Sequence, residues 1–308
     1  MEPFEYLQHT KEETLKLIKN FIEFLANPQI IQFRVLNQST QDKGQIIGFQ
    51  IKRLFLSYNG FPFEKQHQNR SVQILGYGTY INNYNLKSSI AYQFILNTDA
   101  NYYNSIKFWQ CINKQFSCTQ TILEHNDCLC GLSINEQENT VISCGLYQLI
   151  IIFEQVKNNN YVSWVVKQKI LVDQYGYRIS FINQNIFVFQ PEQIIDSKLL
   201  IYTLNDQKLF FESNQLSITD GGISCYYFFS LIYNLKKNIL INKNNNNINV
   251  IRVLKQNKQK ECVEFRLEQI IELENSCIFG TLSNDGEYLV TWDETYKQIQ
   301  IRQYQEME

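Results

Sequence analysis

The stretch that most narrows the folds open to this chain is Cys128–Val172, CLCGLSINEQENTVISCGLYQLIIIFEQVKNNNYVSWVVKQKILV. Leu129–Ile134 alternates apolar and polar residues and runs into Asn135-Glu136-Gln137-Glu138-Asn139, a polar cluster that favours reversal over extension. Thr140–Cys144 resumes with β-branched residues, and Gly145 permits the next reversal. Leu149–Phe153 is a continuous apolar run, and Lys157–Asn160 turns the chain into Tyr161–Val172. The pattern is four short strands joined by tight polar turns.

The pattern recurs. The turn between the first two strands ends at Asn135 in LSIN, Asn183 in SFIN, Asn234 in LIYN and Asp285 in LSND, giving steps of 183−135 = 48, 234−183 = 51 and 285−234 = 51. An apolar second strand follows each turn, at Thr140–Cys144, Ile186–Phe189, Asn238–Ile241 and Tyr288–Trp292. A third follows at Leu149–Phe153, Lys198–Tyr202, Asn247–Ile251 and Gln298–Ile301. Upstream, the same rhythm gives Asn85, Tyr92–Leu96 and Ser105–Trp109. Four strands in about 45–50 residues is the size of one blade of a β-propeller, which predicts an all-β fold of six or seven blades. A chain of 308 residues with 44% hydrophobic residues has the apolar content to fill that core as one domain.

Residues 1–28 differ in kind. Thr10-x-x-Glu13 reads as a capping box, Leu15, Ile18, Ile22 and Leu25 recur at helical spacing, and Asn27-Pro28 stops the run. The expected organisation is therefore an amphipathic helix over 1–28 followed by a propeller over 29–308. The helix either docks on the propeller or meets a partner. Ile30–Leu36, Ile46–Tyr58 and Ser71–Tyr77 are assigned to a first, irregular blade. The last blade, Cys277–Tyr304, has only three strands of its own, and an open edge of unpaired donors and acceptors calls for a fourth. Ile30–Leu36 is the expected supplier. The Asn-rich pieces Lys157–Asn160 and Lys243–Asn249 are read as solvated loops between strands.

These residues resemble the WD40-repeat propellers, in particular the degenerate Asn/Gln-rich members of AT-rich protists. SIKFWQ at Ser105–Gln110 looks like the third strand with its closing Trp-Asp pair, Trp109 in place and Gln110 substituting for the acid. In LEHNDCLCGLSIN from Leu123, His125 matches the Gly-His entry into a blade and Glu124 replaces the glycine. SNDGEYLVTWD, Ser283–Asp293, resembles the hairpin of the first two strands. The closing tryptophan becomes Phe153, Tyr202 and Ile251 in other blades, and no blade carries the complete His–Ser/Thr–Asp–Trp set. The resemblance covers roughly residues 71–304. It implies a structural hydrogen-bonding task for His125, a last blade completed by an N-terminal strand, and a scaffold for protein–protein assembly.

Motifs that carry chemistry are missing. The sequence has no Gly-x-Gly-x-x-Gly, no phosphate loop, no Gly-x-Ser-x-Gly elbow and no His-Glu-x-x-His, and its three histidines are His9, His67 and His125. Asp285 and Asp293 flank a hairpin and are read as turn formers, not as an acid/base pair. Cys128, Cys130 and Cys144 fall where small buried hydrophobes are expected. With His125 they make a poor zinc site, because Cys-x-Cys is too short a step. Catalytic, cofactor and metal residues are all expected to be none. A net charge of −2 with no cluster of Lys and Arg argues against nucleic acid. The lack of a leader or a spanning apolar run gives an intracellular, cytoplasmic expectation, with the eight cysteines reduced. Asn (33) and Gln (31) make up 64 residues and are read as turn and solvent-face substitutes. The expected function is a non-catalytic adaptor that binds proteins through its faces. The alternatives are a phosphopeptide or ubiquitin-pathway adaptor, needing Arg178, Arg252 and Arg302 to converge, and a propeller-based enzyme.

Overall fold

The computed structural model describes residues 3–6, 73–75, 92–95, 106–112, 115–127, 129–158, 161–192, 196–219, 229–255, 263–276, 278–283, 285–293 and 299–305. Twenty strands and no helix are found among them. They run β1 (Phe4–Tyr6), β2 (Gln73–Leu75), β3 (Tyr92–Ile95), β4 (Ile106–Ile112), β5 (Gln115–Ile122), β6 (Leu129–Ile134), β7 (Thr140–Gly145), β8 (Leu149–Asn158), β9 (Tyr161–Leu171) and β10 (Gly176–Asn183). They continue with β11 (Ile186–Pro191), β12 (Lys198–Leu204), β13 (Phe210–Ser217), β14 (Ile232–Asn234), β15 (Ile239–Asn244), β16 (Asn247–Lys255), β17 (Val263–Glu272), β18 (Ile278–Leu282), β19 (Tyr288–Asp293) and β20 (Ile299–Tyr304). They form five antiparallel four-stranded sheets, ordered β2-β3-β4-β5, β6-β7-β8-β9, β10-β11-β12-β13, β14-β15-β16-β17 and β1-β20-β19-β18.

The turns used to count the repeat are built as the sequence requires. Asn135 Oδ1 accepts the backbone N–H groups of Asn139 and Thr140, both at 3.0 Å, and Asn183 Oδ1 accepts Asn185 N–H at 2.8 Å. Asn234 Oδ1 accepts Lys237 N–H at 3.0 Å. In the last repeat Asp285 accepts from Ser283 Oγ and from Glu287 N–H, while Gly286 takes φ 79°, where a side chain would be strained. Each is a local side-chain turn, which is why Asn or Asp must stand there. Asp285 is thus a turn former, and Asp293 lies at the far end of β19 from it.

The chain divides into two compact units. One holds Met1–Arg53, Gln193–Leu199 and Gln215–Glu308. Its core joins sheet β14–β17 to sheet β1-β20-β19-β18 through Ile239, Ile241, Ile248 and Val250 packed with Phe229, Ile278, Leu289 and Phe4. Gly280 lets Phe229 approach: a Cβ there would sit 2.4 Å from the Phe229 ring. The other unit holds Leu54–Glu192 and Leu200–Asn214. There, Ile106 and Phe108 of β4 pack on Leu132, Val141, Ile151 and Trp164, with the Phe108 and Trp164 rings stacked at 4.7 Å. On the opposite face of the same sheet, Ile142, Ile150 and Ile152 pack on Phe181, Phe187 and Phe189.

Outer strands are tied by a device that recurs three times. The Gln120 amide in β5 donates to Trp164 C=O at 2.7 Å and accepts from Trp164 N–H at 2.8 Å. Gln168 in β9 treats Phe210 of β13 identically, at 2.7 and 2.8 Å, and Gln269 in β17 treats Phe4 of β1, both bonds at 2.9 Å. A primary amide carries one donor and one acceptor spaced like those of a peptide unit, so it fills one rung of an edge that would otherwise be open. In all three cases the register of the outer strand slips immediately before the glutamine, so that Thr119, Lys167 and Glu268 are extra residues. Bulges of this kind re-aim the following side chain.

Four expectations change. The last sheet does take an N-terminal fourth strand, but that strand is Phe4–Tyr6, paired with Tyr304–Arg302, and not Ile30–Leu36. Phe4 wins the edge because it is buried, meets Tyr304 edge-to-face at 5.5 Å and is held by Gln269. Segment 1–28 is therefore not helical from its start; Thr10–Leu25, like Ile30–Leu36, Ile46–Tyr58 and Asn85, lies outside the described residues. Within Ser71–Tyr77, Gln73–Leu75 pairs with β3 and belongs to the sheet of Trp109, not to a separate first blade. Finally, Lys243–Asn249 is not a loop. It is the hairpin of β15 and β16, reversing at the half-buried Asn245-Asn246, with Lys243, Asn244, Asn247 and Asn249 buried.

Candidate interaction surface

The site is built at one end of sheet β6–β9, where the β5–β6 link, the β7–β8 turn and the β9–β10 link meet. His125 anchors the first of these. It is buried, and its Nε2 lies 2.6 Å from Ser143 Oγ in β7, which in turn donates to Ile151 C=O of β8. The hydrogen-bonding task implied by the resemblance is present, tying the β5–β6 link to β7 and β8. Its Nδ1 is buried with no partner among the described residues. Burial, reinforced by the Lys169 ammonium, lowers the His125 pKa to about 4, so the ring is neutral near pH 7.

The neighbouring segments are pinned to each other. Leu149 pairs with Leu171, Val172 N–H donates to Gln148 C=O, and the Gln148 amide donates to Asp173 C=O at 2.7 Å. Lys169 Nζ meets Glu124 Oε2 at 2.7 Å. On this frame four large apolar side chains face solvent: Leu171 is 80% exposed, Leu123 69%, Tyr147 45% and Leu146 37%. A leucine at a strand end can turn inward at no cost in backbone geometry. Four left outward on the links at one end of this sheet offer exposed apolar surface of the kind that marks a contact site.

The cysteines behave as core. Cys130 and Cys144 are buried in β6 and β7 and form no disulfide, and burial pushes the Cys144 thiol well above its ordinary pKa. Cys128 lies outside the described residues, among which no group of three His, Cys, Asp or Glu side chains could hold a metal. The three arginines are spent internally. Arg178 is buried in β10. Arg252 donates to Glu268, to Lys237 C=O and to Tyr304 Oη, and Arg302 donates to Thr291 and Gln300. Among the described residues no helix is long and apolar enough to cross a membrane.

Five antiparallel four-stranded sheets define the class: a β-propeller of WD40-like fold. A chain in the crystal structure of a Mitotic Checkpoint Complex superposes with a TM-score of 0.50 at 12% identity, over 73% of this chain and 62% of that one. This protein thus spans less than two thirds of the length of its structural neighbour. The Cps50 (Swd1) beta-propeller domain of Myceliophteria thermophila gives a TM-score of 0.44 at 8% identity, over 62% of this chain and 55% of that one. No protein-family model matches the sequence, and no curated protein does.

The sequence reading had no means of finding the patch. Leu123, Leu146 and Leu171 continue apolar strand patterns and look like core. The one available signal was their place next to turn residues, at the three links of a single blade.

Proposed function

We propose that this protein is a non-catalytic, WD40-like scaffold that assembles other proteins, with the loop end of sheet β6–β9 as a contact face. The observation that carries the reading is the exposed quartet Leu123, Leu146, Tyr147 and Leu171 on segments tied by backbone hydrogen bonds, the His125–Ser143 bond and the Glu124–Lys169 ion pair. A surface held rigid before binding loses little conformational freedom on association, and apolar side chains at its centre supply the hot spots. Cys130 and Cys144, buried and in no disulfide, fit a reducing, intracellular setting. The same reading keeps six or seven blades, which projection images of single particles would count.

The test is affinity purification of the full chain from its own cells with mass spectrometry, run beside the double variant Leu123→Asp, Leu171→Asp. Stoichiometric partners are expected with the native protein and lost with the variant, whose melting temperature should be unchanged because both positions are exposed. Partners retained at full yield by the variant, or none at all, would overturn the assignment.

A further inference from the structure

The charges around the apolar quartet indicate what kind of partner it fits. The segments that build this end, 123–127, 146–148, 169–175 and 190–192, carry Glu124, Asp127, Asp173 and Glu192 against Lys169 alone. Four carboxylates less one ammonium leave −3 locally, in a chain whose total is −2. The single cation is already paired with Glu124. Asp173 lies two residues beyond Leu171, with its backbone carbonyl tied to Gln148 beside Tyr147. Glu192 N–H donates to Tyr175 C=O at 2.7 Å, which brings a further carboxylate to the same links. Tyr175 and Tyr177 stand edge-to-face at 5.9 Å there, half-buried, and aromatic faces attract cations. Burial and the Glu192 carboxylate push the Tyr177 hydroxyl far above its ordinary pKa, in keeping with a negative local field. At physiological salt the screening length is about 8 Å, so carboxylates within one loop cluster act on an incoming partner together.

We propose that this loop end docks a segment of a partner protein whose apolar side chains are flanked by lysine or arginine. The inference rests on the scaffold reading and adds its chemistry: Leu123, Leu146, Tyr147 and Leu171 supply the buried contact, and Asp173 and Glu192 select for basic flanks. Charge complementarity of this sort sets specificity and association rate, while the apolar centre holds the complex. A segment with acidic flanks is repelled by the same carboxylates.

The experiment uses the full chain and three pools of short fluorescent peptides, each with leucine, tyrosine and phenylalanine at its centre, flanked by Lys/Arg, by Asp/Glu or by Ser/Gly. The Lys/Arg pool should bind about tenfold more tightly than the Ser/Gly pool at low salt, and the advantage should shrink as salt rises. Asp173→Lys with Glu192→Gln should remove the preference, and Leu171→Asp should abolish binding. Salt titration of the native protein needs no variant and so stands even if one misfolds. Equal binding to all pools, preference for the acidic pool, or no binding overturns the proposal. If partners are nonetheless lost from the purified Leu123→Asp, Leu171→Asp protein, the scaffold reading survives. Peptide preference without any cellular partner has the reverse meaning.

Discussion

Two hairpins in this molecule are alike in sequence and place their lysines in opposite environments. At the β8–β9 hairpin, which closes on the pair Asn158–Tyr161, Lys157 is exposed. At the β15–β16 hairpin, Lys243 and Asn249 are fully buried, as are Asn242, Asn244 and Asn247. There the amides bond to one another and to backbone: Asn249 Nδ2 donates to Asn242 Oδ1 at 3.1 Å, and Asn244 Nδ2 donates to Thr219 C=O at 2.8 Å. The high amide content of the chain thus covers two populations, one exposed, as at Gln137, Gln174 and Gln215, the other part of the interior. Composition counts them together, and only topology separates them.

The sharpest way to break that contrast is to charge one site from each hairpin. Asn249→Asp replaces the donor facing Asn242 with a buried carboxylate and should cost roughly 3–5 kcal/mol, with the pKa of the new acid raised. Lys157→Asp should stay within about 0.5 kcal/mol, since surface changes away from special features rarely do more. Equal effects in thermal melts would dissolve the distinction.

The next largest effect is set by pH. His125 is buried neutral with a pKa of about 4, below the ordinary imidazole value of 6.5, so the unfolded chain binds its proton first. Stability should therefore be complete above about pH 6.5 and fall by up to about 3 kcal/mol as pH drops towards 4. Denaturant titrations on the native chain and on His125→Gln should show a slope in this window that the variant lacks. An identical slope in both would assign it to other groups.

The glutamine clamps give a smaller test. Gln168→Ala leaves Phe210 N–H and C=O without their partner and should cost about 1–3 kcal/mol, whereas Gln174→Ala, at an exposed position, should cost nearly nothing. Gln168→Asn is the finer probe, since the amide is kept but falls one methylene short. If it melts like the native protein, the clamp geometry is looser than the 2.7 and 2.8 Å bonds imply.

How much was legible follows from the same physics. The repeat could be read because Asn135, Asn183, Asn234 and Asp285 each form a local turn that few other residues make, so the signal lies in the residue itself. The starts of strands β7, β11, β15 and β19 followed from it to within a residue, while their ends run one to three residues further than expected. Phe4–Tyr6 could not be read, since three residues have no periodicity and their partner is Arg302–Tyr304. The clamps were hidden in a count of 31 glutamines, although Phe116-x-x-x-Gln120, Trp164-x-x-x-Gln168 and Phe265-x-x-x-Gln269 share one spacing. The burial of the β15–β16 amides depends on packing against other strands, and no local pattern encodes that.

The pairing of β1 with β20 also sets a timetable. Phe4 leaves the ribosome 304−4 = 300 residues ahead of its partner Tyr304, a delay of about 15–60 s at ordinary elongation rates. For most of that interval Phe4 lacks Gln269 as well as Tyr304, and the last sheet cannot take its fourth strand until β20 has been made. The same wait makes nascent chains of this protein clients for whatever shields strands that have yet to pair.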